Sequence, residues 1–508
     1  MDQSAVIALL SDPASYSHRP QRVERVETHG AIVFLAGDDV LKIKRAVRYP
    51  YMDFSTPELR RRVCEREIEL NRRFAPEIYQ DVLAITREED GRLQIDGNGA
   101  PVEWAVHMRR FPEDAVLARL AERGAITPTI IENLAETVVA MHRTAPVDSR
   151  KAHSLAATAD KLLHGLAAGG LPFDWRQIGQ LASALRHEIH RTRVLLRLRQ
   201  KCGFVRRCHG DLHLGNIVLL DGRPVPFDAL EFDEALATTD TLYDLAFLLM
   251  DLEHRRLRRE ANHLLNRYLQ LTGDPCDLHG LRALPLFLSL RAAIRALVSA
   301  QRSTHVAPTD KARGASQSGG FLELALAILS QSPPRLIAIG GLSGTGKSTL
   351  AKHLAPMLGR APGAVHLRSD IERKRLAGVA DAERLPVSHY SATESGRVYA
   401  QLQRKARLAL RAGQSVVVDG VFAQPFERAD IEALARRLAV PFSGLWLSAD
   451  PAILQERVRT RSGDASDATP AIVQLQVMRG TGVMTWHIVD ASGPVEATMQ
   501  SARQILTL

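Results

Sequence analysis

His209, Gly210 and Asp211, followed by Asn216, place an imidazole, a carboxylate and a carboxamide in the order H-x-D-x-x-x-x-N. That spacing suits phosphoryl transfer: a carboxylate accepts the proton of an attacking hydroxyl, and an amide five residues later turns back to hold a metal ion. Asp211 is the expected base and Asn216 an expected Mg²⁺ ligand. Downstream, "VPFDALEFD" sets Asp228 at the end of an apolar strand after the turn-forming "LDGRPV", where a second metal-ligating carboxylate belongs. A lysine on an earlier strand must then reach the α- and β-phosphates and pair with a helix glutamate. Lys42 and Lys44 share one face of "DDVLKIKRAV", because strand side chains alternate, and Lys42 is preferred with Lys44 left open. Glu65, Glu67 and Glu69 compete for the pairing role.

A second set lies far along the chain. "RLIAIGGLSGTGKSTLAKHLA" combines an apolar strand, a GxxxxGKS loop from Gly341 to Ser348 and the start of an amphipathic helix. Such a loop turns backbone N–H groups onto phosphates at a helix N-terminus, its lysine neutralises β/γ charge, and its serine reaches Mg²⁺. Gly341, Ser343, Gly344, Thr345, Gly346, Lys347, Ser348 and Thr349 are thus expected to hold ATP, with Ser348 also on the metal. Asp419, ending "SVVVDG", is expected as a further metal carboxylate, and Asp370, ending "VHLRSD", as the group that orients an acceptor hydroxyl. Arg373, Lys374 and Arg375 would hold an anionic group beside it. Arg457 and Arg461, four residues apart on one helix face, have the geometry of a lid that brings guanidinium onto the transferring phosphoryl group.

The elements that must position these groups fall into two classes. Short strands, "AIVFLAG", "VLKIKRA", "VLAIT", "RLQID" and "EWAVHMRR", surround one helix from Glu58 to Arg73, and residues 130–300 are mainly helical. Strands alternate with helices after 332, the signature of a mainly parallel α/β sheet. The expected fold is an α+β bilobal kinase-like domain over 1–331, with a small lobe at about 20–110 and a helical lobe at about 111–331, then an α/β P-loop domain over 332–508. The stretch "STHVAPTDKARGASQSGG" reads as a surface connection rich in breakers. "RHEIHRTRVLLRLRQK" reads as a basic amphipathic helix with a solvated face.

The first constellation resembles the aminoglycoside phosphotransferase and choline kinase-like family, whose loop reads HGDxxxxN. The match extends to "TTDTLYDLA", and the resemblance implies that Asp240 and Asp244 brace the loop. It selects Glu67, by its place before "LNRR", as the lysine's partner, and puts Met108 to Arg110 near the adenine. The second half is similar to P-loop kinases of the zeta-toxin, gluconate-kinase and adenylylsulfate-kinase type. The order of both motif sets resembles bacterial fusions described as bifunctional aminoglycoside phosphotransferase/ATP-binding proteins. Two ATP- and Mg²⁺-dependent sites acting on small hydroxylated molecules are implied. Aminoglycosides are polycations, and a pocket for one would need local acids such as Glu231, Asp233 and Glu234.

At 508 residues the chain exceeds what one hydrophobic core serves, and 45% hydrophobic with 24% charged residues excludes wholesale disorder. A net charge of +9 favours anionic ligands and leaves a nucleic-acid partner open without choosing it. Four cysteines without metal spacing read as reduced thiols, no apolar run approaches a membrane span, and no secretory signal opens the chain. A cytoplasmic, membrane-free protein is expected. The spacing of Arg291 and Arg295, one helical turn apart, makes them candidate acceptor-site residues.

Overall fold

Apolar residues at alternate positions build the first sheet. In the computed structural model, which describes residues 3–508 apart from 29, 50–51, 149–153, 170, 304–307, 331 and 461–465, Val23–Glu27 (β1), Ala31–Ala36 (β2), Asp39–Lys44 (β3), Tyr79–Arg87 (β4), Leu93–Ile95 (β5) and Ala100–Arg109 (β6) pair in the order β1-β2-β3-β6-β4-β5. Its ladders are antiparallel. No side chain of β1, "VERVE", is buried, so this edge strand carries no apolar signal. Helix α1 (Pro57–Asn71) crosses the sheet; Thr56 caps it by accepting from Leu59 N at 3.3 Å, and Pro57 fits the first turn, where no N–H is needed. Helix α2 (Pro128–Thr144), the hairpin of β7 (Ile217–Leu220) and β8 (Arg223–Pro226), and helix α3 (Thr241–His254) follow.

The contacts divide the chain into two compact units, Met1–Leu155 with Leu198–Asp251, and Ala156–Arg197 with Leu252–Leu508. A boundary at 331/332 therefore does not separate the compact units, because residues 252–331 pack with the P-loop region. In the second unit, α4 (Arg258–Thr272) precedes α5 (Leu284–Ser303) and α6 (Pro308–Leu329). The breaker-rich stretch expected as a connection is helical from Pro308. Gly320, in that stretch, sits against the His254 ring, and farther along α6 Ala325 O accepts from Ser289 Oγ of α5 at 2.9 Å.

β9 (Leu336–Gly341), α7 (Lys347–Leu354), β10 (Val365–Arg368), α8 (Ser369–Ala377), α9 (Ala392–Arg411), β11 (Val416–Asp419), β12 (Phe442–Ser448), α10 (Pro451–Arg459), α11 (Pro470–Arg479), β13 (His487–Asp490) and α12 (Val495–Leu506) follow, with a further helix, Pro425–Leu438, between β11 and β12. Its five strands are parallel in the order β10-β11-β9-β12-β13. Ile337, Ile339, Val417, Leu445 and Leu447 are buried beneath α7 and α12, which is why these strands read as unbroken apolar runs. Among the described residues one stretch, Pro275–Arg302, is long and apolar enough to cross a membrane by length and composition, against the expectation of none. An 18-residue part of it has a mean hydropathy of 1.5 and is 72% buried inside the protein.

Candidate active sites

Register on β3 gives Lys42 and Lys44 different partners. Lys42, on β3, puts Nζ 2.8 Å from Glu67 Oε1 and 2.6 Å from Asp228 Oδ1. Lys44 is 2% exposed and contacts Glu67 Oε2 at 2.6 Å and also Glu231. Glu67 is fully buried between the two ammonium groups, whereas Glu65 and Glu69 lie on the outer face of α1, paired with Arg61 and Arg66. Burial disfavours every charge here, but the carboxylates of Asp228 and Glu67 outweigh it and hold the Lys42 ammonium well above its ordinary range. Burial is likewise overcome at Glu67 by the two lysines, which keep it below the usual carboxylate range.

Asp228 follows β8 with φ of 58°, a left-handed conformation that costs a non-glycine residue roughly 1–2 kcal/mol. Local bonds hold it there: Asp228 N donates to Tyr79 Oη at 3.0 Å, Ala229 N to Asn71 Oδ1 at 2.9 Å, and His209 Nε2 lies 3.0 Å from Phe227 O. Burial pushes the His209 imidazole below its ordinary value, against the nearby Asp244 charge. The loop itself hangs on Asp244, which accepts from Gly210 N at 2.8 Å and His209 N at 3.3 Å and lies 3.2 Å from His142 Nε2. Asp240 forms a two-pronged pair with Arg199 at 2.6 and 2.8 Å. Arg199, within the basic helix read as solvated, is thus a buried tie.

Asn216 Nδ2 donates to Asp211 O at 3.1 Å and Asp211 Oδ2 at 3.0 Å. Its hydrogens are thereby turned to Asp211, which leaves the carboxamide oxygen and the Asp228 carboxylate as hard oxygen donors suited to Mg²⁺. Met108 is 7% exposed and packs in a core cluster with Val40, Tyr79, Val218 and Val225. The three acids expected in a polycation pocket are engaged: Glu231 with Lys44, Glu234 with Arg66 and Arg207, and Asp233 as the cap of Leu236 N. Arg295 lies over the Phe321 ring and Arg291 is buried, each inside the second unit.

The second site forms where β9 enters α7. Gly341 and Gly344 have φ of 146° and 88°, and a Cβ at either would stand 2.7 or 2.8 Å from the carbonyl oxygen of Leu447 or Leu454; only glycine fits. Lys347 Nζ donates to Leu342 O at 2.9 Å, and Ser348 and Thr349 follow in the first turn of α7. Gln476, on α11, accepts from Ser343 N at 2.9 Å and donates to Ser343 Oγ at 3.2 Å. Asp419, ending β11, lies 2.6 Å from His366 Nε2. Burial would raise Asp419, yet that bond, with Arg368 and Lys347 nearby, holds it below the ordinary carboxylate range. The hydroxyl of Ser348 and the Asp419 carboxylate supply the oxygen chemistry that Mg²⁺ takes.

Beside the loop lies a cavity of about 330 Å³ lined by Thr345, Thr349, His353, Arg457, Pro494 and Met499. Arg457 donates to Ala491 O at 2.7 Å and to Ser492 O and Gly493 O at 3.1 Å. Three carbonyls therefore fix it to the wall of the cavity that Gly344, Thr345 and Gly346 also line. Arg461 lies outside the described residues. Asp370, in the first turn of α8, acts electrostatically on the phenols of Tyr390 and Tyr399. Of the three bases after it, Lys374 is buried on Asp381 O and Asp467, and Arg375 is bonded to Gly273 O. Arg373 lies over the Tyr390 ring and is bonded to His389 O at 2.7 Å, and Tyr390 Oη donates to Asp467, the partner of Lys374, at 2.7 Å. His366, Gln476 and Tyr390 escaped the sequence reading; His366 shares a strand face with Arg368, the one local signal it carried.

The chain matches the phosphotransferase enzyme family over residues 40–283 and an AAA domain over residues 336–481. It is 32% identical over 497 residues, 94% of each chain, to uncharacterized proteins of Mycobacterium tuberculosis and Mycobacterium bovis. Among solved structures, it is similar to a choline/ethanolamine kinase family protein from Mesorhizobium loti (16% identity, 64% of this chain, 99% of that one, TM-score 0.39). It is also similar to a gluconokinase from Sinorhizobium meliloti (21% identity, 35% of this chain, 94% of that one, TM-score 0.26).

Proposed function

Because the chain belongs to the family of the mycobacterial proteins it matches almost end to end, and joins a phosphotransferase-enzyme-family domain to a P-loop AAA domain, we propose that it is a bifunctional kinase. Each domain transfers phosphate from ATP, with Mg²⁺, to a hydroxyl group of a small metabolite in the cytoplasm. The observation behind this reading is Lys42 suspended between Glu67 and Asp228 while Asp211 and Asn216 share a hydrogen bond.

In the first site Asp211 takes the acceptor's proton as the acceptor oxygen forms its bond to the γ-phosphorus and the bond to the β-phosphate oxygen breaks. Lys42 exchanges its contact with Asp228 for the α- and β-phosphates, and Glu67 keeps it extended. Asn216 and Asp228 would hold Mg²⁺, which when bound offsets phosphate charge. In the second, Lys347 meets the β- and γ-phosphates, Ser348 and Asp419 would hold the metal, and Asp370 orients the acceptor hydroxyl. The engagement of Glu231, Asp233 and Glu234 favours neutral or anionic hydroxylated acceptors over polycationic aminoglycosides.

The test is a metabolite pool incubated with γ-labelled ATP and the full chain, beside its Asp211→Asn and Lys347→Ala variants. Two groups of labelled small molecules, each lost in one variant, are expected. Label passing only to the ends of single-stranded nucleic acid, or only to water, would overturn the reading.

A further inference from the structure

Strand β10 is an edge of the parallel sheet, paired with β11 on one side only. The outward backbone groups of an edge strand must find partners elsewhere. Helix α4 provides them. Asn266 Nδ2 donates to Ala364 O at 3.1 Å while its Oδ1 accepts from His366 N at 2.7 Å, so one carboxamide stands in for the missing neighbouring strand. Asn262 Nδ2 adds a bond to Ala364 O at 3.0 Å, and Arg258 donates to Pro356 O at 2.7 Å and Gly359 O at 3.0 Å. Arg259 reaches His353 on α7 at 3.0 Å. Past α8, Arg267 and Gln270 converge on Asp381 at 2.7 and 2.6 Å. All these residues lie within one compact unit.

The strand held in this way carries a side chain that enters the P-loop site. His366 Nε2 is 2.6 Å from Asp419 Oδ2, with the two side chains 6% and 4% exposed. Asp419 has little room to find another position, and its carboxylate lies within electrostatic reach of Lys347. The orientation of that carboxylate thus depends on His366, and the orientation of His366 depends on its backbone, which Asn266 grips.

We propose that α4, although it falls within the stretch matched to the phosphotransferase enzyme family, is a positioning element of the P-loop site: Asn266 fixes the backbone of His366, and His366 aims the Asp419 carboxylate. The inference rests on the reading of that site as a nucleotide-binding one. Its consequence is that the second site draws working parts from sequence belonging to the first domain, so the fusion is more than two enzymes in tandem.

The experiment uses the full chain and fluorescent N-methylanthraniloyl-ATP, with the site defined as the binding step that Lys347→Ala abolishes. Affinity is measured with Mg²⁺ and with EDTA, and the ratio reads the metal-holding geometry separately from overall folding. His366→Leu should lower the ratio about tenfold, the order of one lost hydrogen bond to a charged group, and Asn266→Ala about three- to tenfold. Affinity in EDTA should stay within about twofold in both, because the phosphate-binding loop is untouched. His366→Gln, which keeps a donor, should recover part of the loss. The double variant should be no worse than His366→Leu, as expected when one residue acts through the other. Should Asn266→Ala fail to fold, Asn266→Gln, whose longer amide misses the strand, is read in the same way.

An unchanged ratio in the Asn266 variants, equal losses with Mg²⁺ and EDTA, or multiplicative effects in the double variant would overturn the inference. A wild-type chain with no binding step sensitive to Lys347→Ala would instead overturn the P-loop reading beneath it.

Discussion

Lys44→Met and Lys42→Met should separate a lysine that stabilises from one that binds nucleotide. Lys44 is 2% exposed between Glu67 and Glu231, which are 0% and 9% exposed. At about 4 Å between charge centres and an effective dielectric constant of about 20, each of its two pairs contributes roughly 4 kcal/mol of attraction. Desolvation of the ammonium offsets much of that, and Lys42 still faces Glu67, so the net cost of Lys44→Met should be about 3–5 kcal/mol, the range for breaking a buried pair. Lys42→Met leaves Glu67 with Lys44 and leaves Asp228 partly solvated, so its cost should be about 1–2 kcal/mol. Nucleotide affinity should fall about ten- to hundredfold in Lys42→Met, which removes the phosphate contact, and by only a few-fold in folded Lys44→Met. Burial, against the pull of Lys44, raises the Glu231 carboxyl above its ordinary value, and losing Lys44 raises it further. An acid whose folded value lies above its unfolded one costs stability progressively as pH rises from the unfolded value, and in full once pH exceeds the folded value. The Lys44→Met defect should accordingly be smaller at pH 5 than at pH 8. Urea unfolding and fluorescent-nucleotide titration in a Lys347→Ala background measure both effects. A Lys44→Met chain with an unchanged urea midpoint and lost nucleotide binding would refute the assignment.

Asp211→Asn should abolish transfer by the first site with ATP affinity within a few-fold of wild type, while Asp228→Ala weakens Mg·ATP as well; calorimetric titration of both distinguishes base from metal ligand. Lys347→Ala should remove nucleotide binding and turnover at the second site together, whereas Asp370→Asn keeps ATP bound and loses transfer to the acceptor, read by paired binding and product assays. Arg199→Ala leaves Asp240 buried without its two-pronged partner and should cost about 3–5 kcal/mol in urea unfolding.

What the sequence disclosed is what chemistry confines to a few residues. Asp211 and Asn216 must stand five apart for the amide to fold back, and the strand, loop and helix around Lys347 must be contiguous, so both sets announce themselves by spacing. The choice between Lys42 and Lys44 was hidden because alternation puts both on one face of β3, and only its register against α1 and the loop after β8 decides which ammonium reaches Asp228. The breaker-rich stretch before 332 misled for a different reason: the small residues that favour turns also let two helices pack closely, and only the partner helix tells these uses apart. Arg373, Lys374 and Arg375 read as one cationic cluster, yet successive helix positions point about 100° apart, so Lys374 is buried against Asp381 and Asp467 while Arg375 reaches Gly273 and Arg373 reaches His389. Hardest to see was the clamp on β10. Asn262 and Asn266 lie four apart on an outwardly ordinary amphipathic helix, a pattern that usually marks a solvated face, and their partners are about a hundred residues away at Ala364 and His366. Nothing local distinguishes an amide that faces water from one that completes another element's sheet edge; the difference lies in the docking of α4, where the dependence of the P-loop site on the preceding domain resides.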